Sequence, residues 1–279
     1  MREGRPSFTA ALVAMARGVA DVDPLAGELL DGPLGLVVRA ARGRPLRTAA
    51  VNVATFGLVD HAALRTQAID AAVHEAVGAG LRQVALLGAG LDARAWRMPD
   101  LADVSVFEVD HPATQRYKRS RVGNRPARAR DVRFVPIDFG RDSLADVLAR
   151  AGHDAGSPTF WLWEGVTPYL TIDAVRATLE SIAARSAPGS RIAVTYATPR
   201  AAPLGASFTR VALLGFRLVG EPAVGLIEPG AMRAELARAG YRVLEDTASP
   251  EWADRYGGGG KRLLLVPERL AVAERSSRR

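Results

Sequence analysis

Two kinds of apolar spacing divide the chain. Over the first eighty residues the apolar positions recur at helical intervals only. Phe8, Leu12, Met15 and Val19 share one face of a helix predicted over 7–19, Asp23-Pro24 and Gly32-Pro33 interrupt the pattern, and an amphipathic stretch over 61–77 closes it. From Arg82 onward short β-branched or apolar runs alternate with helical segments. The runs 83–87, 104–110, 132–138, 159–164 and 191–196 predict five strands, with helices over 112–122, 143–151 and 172–187 between them. In the last helix Ile172, Val175, Leu179 and Ile182 fall on one face, and Pro188-Gly189 ends it. A helix over 231–239 stopped by Gly240 and two closing strands, 241–245 and 262–266, complete the pattern. Strands that alternate with helices form βαβ units and a parallel sheet. The expectation is therefore an α/β, Rossmann-like fold with a seven-stranded, mostly parallel sheet and an N-terminal helical cap. Its divisions would be a cap over 1–80, a ligand-binding domain over 81–267 and a flexible tail over 268–279. A stretch rich in Pro, Gly and Ala over 198–229, with an apolar helix candidate at 208–214, reads as a substrate-side insertion, and the glycines of 257–260 as a connector.

Composition removes several alternatives. With 48% hydrophobic and 24% charged residues, the 279-residue chain can bury a full core. It has no cysteine, which excludes disulfides, thiolate nucleophiles and Cys-ligated zinc, and His61, His74, His111 and His153 lack metal-ligand spacing, so no metal is expected. Arg2 and Arg5 before a short apolar run only mimic a signal peptide, and no run approaches the ~20 apolar residues of a membrane span. A cytoplasmic protein with no membrane partner is the expectation. The net charge of +7 raises the question of nucleic acid, but the arginines are scattered. The one dense stretch, 116–133, lacks aromatic residues among its later arginines, so it is read as a solvated face with no nucleic-acid partner.

The sharpest local motif is Leu86-Leu87-Gly88-Ala89-Gly90-Leu91-Asp92-Ala93, a strand turning through glycines into a helix. Glycines there let backbone approach a ligand where a Cβ would clash, and the helix start favours negative charge. The motif fits the dinucleotide fingerprint and a methyltransferase equally, and Glu108 and Asp110 at the next strand end suit ribose hydroxyls in either class. Asp110, Asp138 and Glu164 end the second, third and fourth predicted strands, beside the edge where an open α/β sheet binds its ligand. Three carboxylates there would repel a pyrophosphate and suit a nucleoside carrying a sulfonium and an ammonium. An NAD(P)-dependent oxidoreductase remains the alternative at this point.

These motifs together resemble the leucine carboxyl methyltransferase-like group of S-adenosylmethionine-dependent enzymes, which includes actinobacterial members and polyketide O-methyltransferases. The resemblance rests on Leu64-Arg65-Thr66 with Ile69-Asp70, the segment 83–94, Val106-Phe107-Glu108-Val109-Asp110-His111-Pro112, the segment 134–139, and Glu164-Gly165-Val166-Thr167-Pro168-Tyr169-Leu170. It implies a class I methyltransferase fold that binds S-adenosyl-L-methionine and releases S-adenosyl-L-homocysteine. It implies further that Arg65 pairs with the methionine carboxylate, Gly88 and Gly90 line the methionine and ribose, and Asp110 binds ribose. Asp138 and Phe139 would flank the adenine, and Glu164 would lie near the amino-acid end. The acceptor it implies is a carboxylate or hydroxyl of a small-molecule metabolite, polyketides included. Trp161, Trp163 and Pro168 depart from the usual pattern of the group; tryptophans on a buried strand are ordinarily core.

Overall fold

A computed structural model describes residues 8–199, 225–257 and 267–276. Among the described residues five helices precede the sheet: α1 (Phe8–Val19), α2 (Pro24–Glu28), α3 (Gly32–Ala41), α4 (Pro45–Ala54) and α5 (Leu58–Gly78). Asp23 starts α2 by accepting the Ala26 amide at 3.0 Å, with Pro24 in the first turn where its missing N–H costs nothing. α1 and α2 cross closely because both carry glycine at the crossing: a Cβ on Gly18 would sit 2.9 Å from the Gly27 Cα.

The strands are β1 (Gln83–Leu87), β2 (Ser105–Asp110), β3 (Asp131–Pro136), β4 (Thr159–Trp163), β5 (Arg191–Ala197), β6 (Tyr241–Ala248) and β7 (Glu268–Arg275), in the order β3-β2-β1-β4-β5-β7-β6. β1 to β5 are parallel, and β7 runs antiparallel to both of its neighbours. Among the described residues the remaining α-helices are α6 (Arg94–Arg97), α7 (Pro112–Val122), α8 (Leu144–Arg150), α9 (Ile172–Ala184), α10 (Pro229–Arg238) and α11 (Ser249–Tyr256). The expected seven-stranded, mostly parallel sheet with an N-terminal helical layer is present.

Alternation along β1 explains its continuous apolar run. Val84 and Leu86 enter the core shared with the cap helices, whereas Ala85 and Leu87 enter the core on the other face. A parallel strand covered on both faces favours apolar side chains, and the one polar residue of β1, Gln83 at its start, is buried with its Nε2 donating to Asp154 O at 2.9 Å. Trp161 and Trp163 are fully buried in that second core, which settles them as packing residues. In α9 the predicted face is buried at Val175, Leu179 and Ile182, but Ile172 in the first turn is 38% exposed.

The end of the chain differs from expectation. Residues 268–275, expected as tail, form β7, which is inserted between β5 and β6. The run Glu268–Arg275 has charged pairs at both ends, Glu268-Arg269 and Glu274-Arg275, around an apolar centre of only four residues, so half of it is charged, a larger share than in the runs by which the other central strands were recognised. The strand expected over 262–266, the helix candidate at 208–214 and most of the insertion 198–229 lie outside the described residues. Among the described residues no helix is long and apolar enough to cross a membrane.

Candidate functional site

The order in which successive strands are laid down reverses between the parallel neighbours β1 and β4, and a crevice opens there beyond the carboxyl ends of the strands. The cavity at that position is about 410 Å³ and is lined by Arg65, Gly88, Gly90, Asp110, Asp138, Phe139 and Glu164. All seven candidate residues are thus brought together, although they come from five separate segments of chain.

Gly88 follows β1 with φ +67°, and a Cβ there would meet Val166 Cγ2 at 2.5 Å. The turn therefore needs glycine for both its dihedral and its neighbour. Asp110 ends β2 and turns back to the glycine loop: its Oδ2 accepts the Gly90 amide at 2.5 Å and its Oδ1 accepts the His111 amide at 2.6 Å. Burial pushes its carboxyl up against the opposing pull of those two amides. It does not cap α7. His111 does so, its Nδ1 accepting the Ala113 amide at 3.2 Å. Glu108, two residues earlier on β2, is turned away from the cavity and holds Lys118 with both oxygens at 2.7 Å. Beyond β3, Asp138 accepts the Gly140 amide at 3.0 Å, and Phe139 stands 52% exposed at the cavity edge.

The opposite end is a buried ionic cluster. Glu164 receives Arg17 from α1, Arg65 from α5 at 3.0 Å and Arg94 from α6 at 3.0 Å. Burial alone would raise its carboxyl; the three guanidiniums overcome that and hold it far below the usual carboxylate range. Arg94 also pairs with Asp92, and with Asp70 at 2.7 Å. Arg65 reaches Glu268 at the start of β7 at 2.7 Å. Three guanidinium nitrogens in the cluster, Arg17 Nε, Arg65 Nε and Arg94 Nη2, are buried without a hydrogen-bond partner among the described residues. Buried N–H donors left unpaired are costly.

Residues 17, 92, 94 and 268 were not anticipated as part of the site. Arg17 had a signal: it is the only charged residue in the twelve of α1. Glu268 had none, because it lies in the segment read as tail. The cluster also corrects the electrostatic reading of the strand ends. Glu164 is not a bare carboxylate but the centre of three arginines, so repulsion of a pyrophosphate rests on Asp110 and Asp138 alone. The dense basic stretch is largely internally paired: Lys118 to Glu108, Arg121 to Asp31, Arg125 to Glu28, and Arg130 and Arg133 to Asp131.

Comparison with known proteins gives no support to the oxidoreductase alternative. A candidate S-adenosyl-L-methionine-dependent methyltransferase of Frankia alni is 43% identical over 136 residues, 48% of this chain and 47% of that protein. One of Mycolicibacterium smegmatis is 42% identical over 48% of this chain and 43% of its own length. The chain thus spans about half the length of those curated relatives. A candidate methyltransferase of the same kind from Mycobacterium avium is 36% identical over 204 residues, 67% of this chain and 66% of that protein. Among solved structures, a candidate methyltransferase of Thermobifida fusca superposes with a TM-score of 0.65 at 14% identity, covering 98% of this chain and 96% of its own. A DUF574 family protein of Streptomyces avermitilis does so with 0.64 at 15% identity, covering 98% of both chains. These two likenesses establish the fold. The family model described as leucine carboxyl methyltransferase matches residues 10–183, from α1 through the glycine loop and Glu164 into α9, and the chain belongs to that family.

Proposed function

We propose that this chain is an S-adenosyl-L-methionine-dependent O-methyltransferase acting on a small-molecule carboxylate or hydroxyl, with polyketides among the acceptors. The observation that carries the reading is the polarity of the cavity: one end is lined by the Glu164 carboxylate with Arg17 and Arg65, the other by the partly buried Asp110 carboxylate at a glycine loop. An amino acid's carboxylate and ammonium suit the first end, and vicinal ribose hydroxyls suit the second.

The residues fit the cofactor on structural grounds. Arg65 and Arg17, which line the cavity, would take the carboxylate, and Glu164, ionised throughout the neutral range, would accept the ammonium. Asp110 would accept the ribose hydroxyls, and Asp138 with the exposed ring of Phe139 would flank the base. When bound, the cofactor supplies an electrophilic methyl group on sulfur. The protein's part is to hold the acceptor oxygen in line with that methyl and to exclude water. An acceptor carboxylate is already ionised and needs no base, whereas a hydroxyl must lose its proton during attack. Glu164 is too weak a base for that task. His111 and Tyr169 line the cavity, and the Nδ1 of His111 is occupied by the α7 cap, which leaves its Nε2.

Calorimetric titration with S-adenosylhomocysteine, beside NADH, tests the reading. Saturable binding of the nucleoside alone, weakened in Asp110→Ala and Arg65→Ala, is expected. Binding of NADH instead, or of neither ligand by folded protein, would overturn it.

A further inference from the structure

Arg65 faces two carboxylates, and only one of them lines the cavity. Its Nη2 lies 3.0 Å from Glu164, which does; its Nη1 donates to Glu268 Oε2 at 2.7 Å, and Glu268 is not among the lining residues. The same Glu268 oxygen accepts from His61 Nε2 at 2.5 Å, and the Nδ1 of that ring is 3.1 Å from Ser249 Oγ. His61 and Arg65 are four residues apart on α5, so the helix presents both on one side, one turn above the other. Glu268 opens β7 opposite Ala197, the last residue of β5. Ser249 opens α11, whose Trp252 ring lies 5.9 Å from the His61 ring. His61, Arg65, Ser249 and Glu268 are all at most 6% exposed.

We propose that Glu268, held in turn by His61, is a positioning residue for Arg65 that fixes the guanidinium for the carboxylate end of the cofactor. The inference rests on the cofactor reading above. An arginine side chain has four rotatable bonds, and ordering it when a ligand arrives reduces affinity. A charge-assisted bond from behind orders it in advance, and a second bond to the same carboxylate keeps that carboxylate from turning away. α5 meets β7 and α11, which lie far from it in sequence, at this point. Arg65 and His61 overcome the effect of burial and bring the Glu268 carboxyl down to about 2, so the anchor is charged at any working pH. A simple staple between α5 and the sheet would need no arginine that also reaches the cavity.

The test compares two nucleoside thioethers, S-adenosylhomocysteine and 5′-methylthioadenosine, which lacks the amino-acid end. Dissociation constants are measured for the full chain, for Glu268→Gln and for His61→Phe, the latter keeping an aromatic ring while removing both nitrogens. Glu268→Gln is expected to weaken S-adenosylhomocysteine by about tenfold or more, the loss of one charge-assisted bond, while leaving methylthioadenosine within about twofold. His61→Phe should show a smaller loss with the same selectivity. Equal losses for both ligands would make the cluster a staple only, and no loss would leave it without influence on the site; either overturns the proposal. Should Glu268→Gln fail to fold, His61→Phe decides by the same ratio. Failure of the wild-type protein to bind either thioether would instead remove the cofactor reading, and this proposal with it.

Discussion

Replacing Gly88 by alanine isolates what the glycine loop requires. Two costs follow from the structure. The backbone dihedral φ is +67°, where a Cβ costs about 1–2 kcal/mol. The added methyl would also stand 2.5 Å from Val166 Cγ2, an overlap that must be relieved by moving Val166 or the loop, at about 1–3 kcal/mol. Gly88→Ala should therefore lose about 2–5 kcal/mol in chemical denaturation, equivalent to roughly 4–20 °C in Tm for a chain of this size. Val166 lines the cavity, so its displacement should also weaken S-adenosylhomocysteine. The two costs separate in a double-mutant cycle, because Val166→Ala removes the clashing carbon but leaves the dihedral unchanged. Gly88→Ala/Val166→Ala should recover the steric part and retain the backbone part, giving a favourable coupling of about 1–3 kcal/mol. Additive effects of the two substitutions would refute the contact between the loop and Val166. A stable Gly88→Ala single variant would refute the dihedral as well.

Three further outcomes are expected. Arg17→Ala removes one of the three guanidiniums on a buried Glu164 and should destabilise the fold by about 3–5 kcal/mol while weakening S-adenosylhomocysteine, both measurable by titration; unchanged binding would exclude Arg17 from the site. Glu268 is depressed in the folded state, so its contribution is complete above the usual glutamate value near 4.5 and is lost as pH falls from there towards about 2. Urea midpoints over that window should fall less steeply in Glu268→Gln than in wild type, and parallel curves would count against the pairing. Burial raises the Glu108 carboxyl against the pull of Lys118, and Lys118→Met removes that pull and raises it further. A carboxyl whose folded value is raised loses stability as pH rises, so Lys118→Met should be more destabilised at pH 8 than at pH 5 relative to wild type, and a pH-independent deficit would contradict this.

Local patterning carried most of the fold. β1 and α7 fall on the residues predicted, because a strand buried on both faces and a helix opened by His-Pro are each specified by their own residues. The placement of β7 did not follow from any local feature. Its run ERLAVAER is half polar, and its position between β5 and β6 comes from pairing with strands some 30 and 80 residues earlier in the chain. The site divided in the same way. The glycine loop and Asp110 were legible because backbone geometry demands those residues at those places. The arginine partners of Glu164 were not: Arg17 and Glu164 are 147 residues apart, and an ion pair has no spacing rule by which to find it.

That difference bears on what the N-terminal helices are. Read by spacing alone, residues 1–80 form a cap set against an independent domain. In the structure Leu64, Ile69 and Val73 of α5 share one core with Val84 and Leu86 of β1, and Met15 and Val19 of α1 belong to the same core. Four elements, α1, α5, α6 and the turn after β4, each contribute one charge to the cluster on Glu164. A buried charge of this kind is tolerable only when all its partners are present, since removing one leaves the others uncompensated. The helices that close the cavity are therefore part of the structure that makes its charged end, and docking α1 and forming that end are coupled. Binding at that end should accordingly protect the amides of α1 from hydrogen exchange as strongly as those of the glycine loop, a coupling that a detachable cap would not show.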